Sequence, residues 1–177
     1  KVFNINEKKY NVFTEALNTT FAEANRLPVA SIRRVFREDG HWVLEMDYIR
    51  GSLMLKDLLD AIGREDYSKM DSLLQELAQI QYKINSLHTY NLPNYKTCIA
   101  ESIFTKTSLS NEQIERLLDY LKGLPEGNCF IHGDFHPVNI IYSDGEPVIL
   151  DWLTAGSGVS ECDVARTYLN LLHPPAP

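Results

Sequence analysis

Four polar residues, His132, Asp134, Asn139 and Asp151, stand among apolar ones in the last third of the chain. They lie in Phe130-Ile131-His132-Gly133-Asp134-Phe135-His136-Pro137-Val138-Asn139-Ile140-Ile141 and, further on, Val148-Ile149-Leu150-Asp151-Trp152. The apolar runs are short and β-rich, so buried strands hold these residues and short loops expose them at the strand ends. One carboxylate held in this way can orient a hydroxyl. An amide and a second carboxylate can hold Mg²⁺ against a polyphosphate. The same stretch allows another chemistry. His132, Asp134 and His136 alternate along an extended segment and share a face. With Asp151 they offer four ligands for Zn²⁺, Mn²⁺ or Fe, as in a metal-dependent hydrolase. Singly, Asp, Asn and His in loops cap turns or bond the local backbone. The ordered set of four is what argues for a site.

The elements that must position these groups follow from periodicity and punctuation. Lys1-Val2-Phe3-Asn4-Ile5 has the character of a strand. From Asn11 to Leu27 the residues Phe13, Ala16, Leu17, Phe21 and Ala24 recur with a helical period, and Pro28 ends the helix. Ser31–Phe36 and His41–Ile49 are β-rich and flank Glu38-Asp39-Gly40, a hairpin turn. Gly51 marks a break, after which the composition turns helical. A short helix is predicted at Leu55–Ala61. A long one is predicted at Asp71–Tyr90, where Leu73, Leu77, Ile80, Ile84 and Leu87 form a single stripe. His88 is expected to close that helix. Ser110 and Gln113 form a capping box opening a helix that runs to Gly123. The motif region reads as one small sheet of strands Cys129–His132, Asn139–Ser143 and Pro147–Asp151, with a turn at Asp144-Gly145. Gly156-Ser157-Gly158 lacks the third glycine of a phosphate loop and reads as a flexible connection. A last helix spans Cys162–Leu172, where Asp163 caps the helix or braces the loop around Asp134.

Composition narrows the classes. The 177 residues are 44% hydrophobic, enough for a sizeable core, and the mixed order of elements is that of an α+β protein. No apolar run approaches the roughly 18 residues of a membrane span, and the first residues carry no secretory pattern. Cys98, Cys129 and Cys162 are odd in number and far apart, which points to a reducing cytoplasm rather than a disulfide framework. The net charge of −7 argues against a nucleic acid partner and mildly for cationic ligands.

The spacing His-x-Asp-x-x-x-x-Asn matches the catalytic loop of protein kinases. With Gly133 after the histidine and Asp151-Trp152 in place of D-F-G, the set more closely resembles the aminoglycoside phosphotransferase and choline kinase-like family, which includes fructosamine and other small-molecule kinases. The resemblance covers nearly the whole chain. It implies an α+β, two-lobe protein-kinase-like fold, with a partial N-lobe at residues 1–50 and a mainly helical C-lobe at 51–177. The glycine-rich hairpin that precedes the lysine strand in such folds is absent from this sequence. The close on His173-Pro174-Pro175-Ala176-Pro177 suggests a truncated C-lobe, so a piece of a longer protein is expected.

In that resemblance Asp134 orients the substrate hydroxyl and accepts its proton, and His132 braces the loop by bonding backbone. Asn139 and Asp151 hold Mg²⁺. Lys1, held by Glu15, draws charge from the ATP phosphates, and the backbone of Asp47 and Ile49 meets adenine in a hinge-like stretch from Leu44 to Gly51. Glu23 competes for Lys1 but lies close to Leu27-Pro28. The Lys1–Glu15 pair is expected near solvent, contributing roughly 0–1 kcal/mol. The implied activity is transfer of the γ-phosphate of ATP to a hydroxyl of a small molecule, whether aminoglycoside-like, an amino-alcohol or a sugar. Without the glycine-rich hairpin, a kinase-like module that binds nucleotide without catalysing is a further alternative beside the hydrolase.

Overall fold

Lys1–Phe3 runs antiparallel along the second strand of a hairpin, with Val2 bridging Val43. The computed structural model describes residues 1–105 and 108–173. The expected close at Pro174–Pro177 lies outside them. The hairpin consists of β1 (Ile32–Glu38) and β2 (His41–Met46). Asp39 and Gly40 turn it with φ of 48° and 82°, both positive, as a two-residue turn that follows the strand twist requires. Helix α1 (Lys9–Ala24) packs Val12 against Phe3 and Leu44 in a small core on the hairpin. It stops short of the expected Leu27. Arg26 takes φ 63°, Leu27 N–H bonds the Ala22 carbonyl at 3.0 Å, and Arg26 N–H bonds that of Glu23 at 2.9 Å. This Schellman ending satisfies the last carbonyls and uses up residues 25–27.

After Gly51 come β3 (Ser52–Leu53), α2 (Met54–Gly63) and α3 (Tyr67–Asn85). Asp66 caps α3 by accepting from Lys69 N–H at 3.0 Å, so this helix begins ahead of Asp71. It ends at Asn85 instead of Tyr90 because the following residues pair with β4 (Cys129–Ile131). Phe130 N–H bonds the Leu87 carbonyl at 2.7 Å, and Thr89 N–H bonds that of Asn128 at 2.8 Å. His88 bridges Cys129 in this extended segment, away from the helix end where it was expected. Helix α4 (Tyr95–Thr105) has no signal in the sequence, since it buries none of its residues fully and carries no clear apolar stripe. Helix α5 (Asn111–Gly123) starts at the capping box, with bonds of 3.3 and 2.8 Å between Ser110 and Gln113.

The motif strands do not form one sheet. β5 (Ile140–Ser143) and β6 (Glu146–Ile149) join β3 in the order β3-β5-β6, whereas β4 pairs with β7 (Gly156–Gly158). Gly156-Ser157-Gly158 is therefore a buried strand, which corrects the expected flexible connection. A Cβ on Gly156 would lie 2.5 Å from the Pro93 carbonyl oxygen, so glycine is what lets the chains approach. Helix α6 (Ser160–Leu172) follows. In the main core the stripe Leu73, Leu77, Ile80 and Ile84 of α3 packs with Phe130, Phe135, Ile140, Ile149 and Trp152. Ile149 N–H bonds the Pro28 carbonyl at 2.8 Å, which stitches the segment after α1 onto β6. No described helix is long and apolar enough to cross a membrane.

Gly51 sits where the hairpin unit gives way to the helices. A Cβ there would fall 1.9 Å from the Tyr142 carbonyl oxygen, and backbone on backbone has little room to yield. Gly51→Ala is expected to cost about 1–3 kcal/mol, read as a fall of several degrees in melting temperature. An unchanged melting temperature would show that this approach does not hold in solution.

Candidate active site

The loop after β4 is built around a buried carboxylate. Asp163, in the first turn of α6, is wholly buried and accepts from His132 N–H at 3.1 Å, Gly133 N–H at 2.8 Å and Asn85 Nδ2 at 3.0 Å. It makes no cap on its own helix; the N-cap residue is Val159. A charge taken from water is costly unless it is hydrogen-bonded, and these three donors engage both carboxylate oxygens. Gly133 has φ 78°, and a Cβ on it would lie 2.5 Å from the Thr154 carbonyl oxygen, so the loop turns there only with glycine.

His132 is also wholly buried. Its Nε2 lies 3.0 Å from the Leu150 carbonyl oxygen, and its Nδ1 accepts from Asp134 N–H at 3.3 Å. A carbonyl needs a donor and an N–H needs an acceptor, so the ring is the neutral tautomer with its proton on Nε2. Burial pushes its pKa below the ordinary histidine value, in keeping with that form. Leu150 N–H bonds the Asn139 carbonyl at 2.9 Å. The backbone of Leu150 thus links His132 and Asn139 immediately ahead of Asp151.

Asp134 is surrounded by donors. Its Oδ2 lies 3.4 Å from His136 Nε2, and its Oδ1 accepts from Asn170 Nδ2 at 3.1 Å and Arg166 Nη2 at 3.5 Å. The His136 bond, with Asn170 and the Arg166 charge, outweighs burial and holds the Asp134 pKa down to about 2. Asn139 donates Nδ2 to the Asp134 carbonyl at 2.9 Å, which orients the amide and leaves Oδ1 as its acceptor.

Asp151 takes a left-handed φ of 60°, a conformation that aspartate tolerates better than bulkier residues. Its Oδ1 accepts from Lys1 Nζ at 3.0 Å, and the same ammonium lies 2.9 Å from both carboxylate oxygens of Glu15. The expectation that this pair lies near solvent fails at Glu15, which is only 2% exposed on the inner face of α1. Burial raises the Glu15 pKa against the pull of Lys1. Burial also disfavours the Lys1 ammonium, but Glu15 and Asp151 together outweigh it and raise the Lys1 pKa. Glu23 takes no part, and accepts from Ser31 Oγ at 2.6 Å.

Four polar residues absent from the sequence-based site complete it. Asn18, wholly buried, donates Nδ2 to the Trp152 and Ala155 carbonyls at 2.8 and 2.9 Å, tying α1 to the segment behind Asp151. Asn85 binds Asp163, while Arg166 and Asn170 flank Asp134. Arg166 and Asn170 follow Asp163 at steps of three and four on one helix, the only spacing signal among them, and Asn18 and Asn85 carry none in the sequence.

Lys1, Glu15, Asn139 and Asp151 line one cavity of about 220 Å³. It adjoins another of about 420 Å³ bordered by Asp47, Tyr48 and Ile49, and the two share Lys1, Ala30, Met46 and Leu150. Asp47 N–H is committed to the Ser31 carbonyl at 3.0 Å, while among the described residues the Asp47 carbonyl and the Ile49 N–H have no backbone partner. One carboxylate and one amide oxygen in a shared cavity fit a hard cation that takes its other ligands from phosphates and water. The His132, Asp134 and His136 set does not fit a metal, because both His132 nitrogens are committed to backbone. Among the described residues no group of three His, Cys, Asp or Glu side chains is arranged to hold one.

Solved structures share this architecture. An aminoglycoside-3'-phosphotransferase of type VIII is 17% identical with a TM-score of 0.61, over 93% of this chain and 66% of its own. A thermostable mutant of aminoglycoside phosphotransferase APH(4)-Ia, in ternary complex with ADP and hygromycin B, is 12% identical with a TM-score of 0.63, over 92% of this chain and 62% of its own. Amicoumacin kinase hAmiN, in complex with AMP-PNP, Ca²⁺ and Ami, is 15% identical with a TM-score of 0.58, over 100% of this chain and 58% of its own. At these identities the likeness shows the fold, the α+β kinase-like one, and the chain spans less than two thirds of each of these proteins. No curated protein sequence matches the chain significantly. Residues 46–177 match the model of the phosphotransferase enzyme family, and the chain belongs to that family.

The low pKa of Asp134 gives a direct check. Because the folded value of about 2 lies below the ordinary 3.8, ionised Asp134 stabilises the fold above the ordinary value, and this contribution is lost as pH falls through about 2. A carboxyl carbon titration should place the Asp134 midpoint near 2, and Asn170→Leu with Arg166→Leu should move it upward. A midpoint at 3.8 or above in the parent would contradict the arrangement of donors.

Proposed function

We propose that this chain carries the transfer site of an ATP- and Mg²⁺-dependent kinase acting on a hydroxyl of a small molecule. The observation that carries the reading is one ammonium, Lys1 Nζ, 2.9 Å from Glu15 and 3.0 Å from Asp151, in a cavity that Asn139 also lines. Residues 1–50 would form the N-lobe and 51–177 the C-lobe, with the nucleotide between them. The adenine nucleotides bound in the amicoumacin kinase and APH(4)-Ia complexes support the same reading of the cleft. The free thiols of Cys98, Cys129 and Cys162 suit a cytoplasmic enzyme.

Each residue has a definite task in this mechanism. Lys1 gives positive charge to the ATP phosphate oxygens, and buried Glu15 holds it in place. Asp151 and Asn139 Oδ1 would hold Mg²⁺, which when bound neutralises charge on the phosphates. The Asp47 carbonyl and Ile49 N–H would meet the adenine edge. Asp134, ionised throughout the neutral range, accepts the hydrogen bond of the incoming hydroxyl. As the alcohol oxygen bonds the γ-phosphorus, the bond from phosphorus to the bridging oxygen breaks, ADP leaves, and the proton passes to Asp134. So weak a base takes that proton late, and its larger contribution is orientation. His132 moves no proton. It keeps Asp134 and the Leu150–Asp151 backbone in register.

Two substitutions in the full-length protein test this division of labour. Asp134→Asn should lower kcat by at least about a hundredfold while ATP still binds. Asp151→Ala should remove the Mg²⁺ dependence of nucleotide binding. Near-parental turnover in Asp134→Asn, or an unchanged Mg²⁺ dependence in Asp151→Ala, would remove the assigned role.

A further inference from the structure

We infer that the acceptor is an alcohol with an uncharged, largely apolar body, and not a polycation. The inference rests on the kinase reading above. A third cavity, of about 580 Å³, opens against the catalytic loop, and Gly133, Thr154 and Arg166 are among its lining residues. The Lys1 cavity takes in Asp151 and Trp152, while this one takes in Leu153, Thr154 and Ala155, so one short segment separates the nucleotide side from the third cavity. Its volume suits a small organic molecule.

Two contacts connect this cavity to the reacting group. Arg166 lines it and reaches Asp134 Oδ1 at 3.5 Å, and Tyr95 lines it with its hydroxyl 3.4 Å from the Gly133 carbonyl oxygen. Its polar end therefore lies at the loop that carries Asp134. Away from that end the wall is largely apolar, with Ile99 and Ile103 of α4, Leu109 and Leu153, and its polar side chains there, such as Asn11, Thr14 and Ser102, are uncharged. A molecule seated here would present a hydroxyl to Asp134 and rest its body on α4.

Charge then separates the acceptor classes. Among the described lining residues Arg166 is the single charged side chain, and the carboxylate at its end, Asp134, is already bonded by Arg166, Asn170 and His136. Each ammonium of a polyamine must exchange water for carboxylates or carbonyl oxygens, and a wall of apolar and uncharged polar side chains beside a guanidinium supplies too few. The overall charge of −7 does not alter this, because the acidic residues of the chain lie outside the cavity lining. Of the aminoglycoside-like, amino-alcohol and sugar acceptors that the sequence admits, the cavity favours a neutral glycoside or similar alcohol.

The test is a binding panel on the full-length protein, with and without AMP-PNP and Mg²⁺. It uses phenyl and octyl β-glucosides, their 2-amino-2-deoxy counterparts, and kanamycin, with Kd read by calorimetry and ligand-observed NMR. The neutral glucosides should bind at least tenfold more tightly than their amino counterparts and than kanamycin. Ile99→Glu, and separately the exposed Ser102→Glu, should reduce that preference at least tenfold, with the melting curve reporting on folding. The inference is overturned if kanamycin or the amino sugars bind as tightly, if no panel member binds, or if both glutamate variants keep the preference while folded. AMP-PNP binding, read in the same titrations, reports on the kinase reading separately. Its loss with the glucoside preference intact would sink that reading and leave the cavity chemistry standing.

Discussion

The buried carboxylate of Asp163 is the constraint on which the site depends. It gathers two consecutive backbone N–H groups of the loop, from His132 and Gly133, and the amide of Asn85 from α3. A charge at this depth cannot be left with fewer partners without a large desolvation cost, so loop, α3 and α6 are bound to one geometry. Asn85 also donates to the Phe130 carbonyl at 3.1 Å, which brings β4 into the same knot. From there the order passes outward. His132 joins Leu150, Leu150 joins Asn139, and the next residue is Asp151. Asp134, Asn139 and Asp151 are separated in sequence, yet the same few hydrogen bonds orient all three.

Helix α1 makes the second attachment, through two residues on one face. Glu15 holds Lys1 against Asp151, and Asn18 holds the backbone behind Asp151. Both Asn18 amide hydrogens are used, while its Oδ1 is buried without a partner among the described residues. An orphaned acceptor costs about 1–3 kcal/mol, which the two bonds donated to the Trp152 and Ala155 carbonyls offset. Any shift of α1 must disturb the ammonium, the carboxylate and this clamp together. That coupling is local electrostatics and packing, with Trp152 as its buried hub, stacked on Phe130 at a centroid distance of 5.3 Å.

Much of the frame was legible where a local rule decides the outcome. The Asp39-Gly40 turn, the Ser110–Gln113 capping box and the Leu73–Ile84 stripe each follow from their own residues. The errors came where distant partners decide. Leu87–Thr89 continues a helical period but pairs with β4, and Gly156–Gly158 looks flexible until β4 buries it. Helix α4 carries no stripe because no single face of it is fully covered. Within the candidate site the residues of the kinase-like pattern could be named from type and spacing. Their supports could not, because a buried asparagine such as Asn18 or Asn85 reads in one dimension like any polar helix residue. The depth of Glu15 was missed for the same reason, since α1 has only a weak apolar stripe and Glu15 lies on its inner face.

Asn139 and Asp151 are proposed to hold a divalent cation only together with a nucleotide, beside Asp134. Mn²⁺ can replace Mg²⁺ as a paramagnetic probe in the full-length protein with isotope-labelled Asp, Asn and His side chains. In the presence of AMP-PNP, Mn²⁺ should broaden the Asn139 amide and Asp151 carboxyl signals, and without nucleotide the broadening should be weak. Broadening centred on the His132 and His136 rings, independent of nucleotide, would contradict the account.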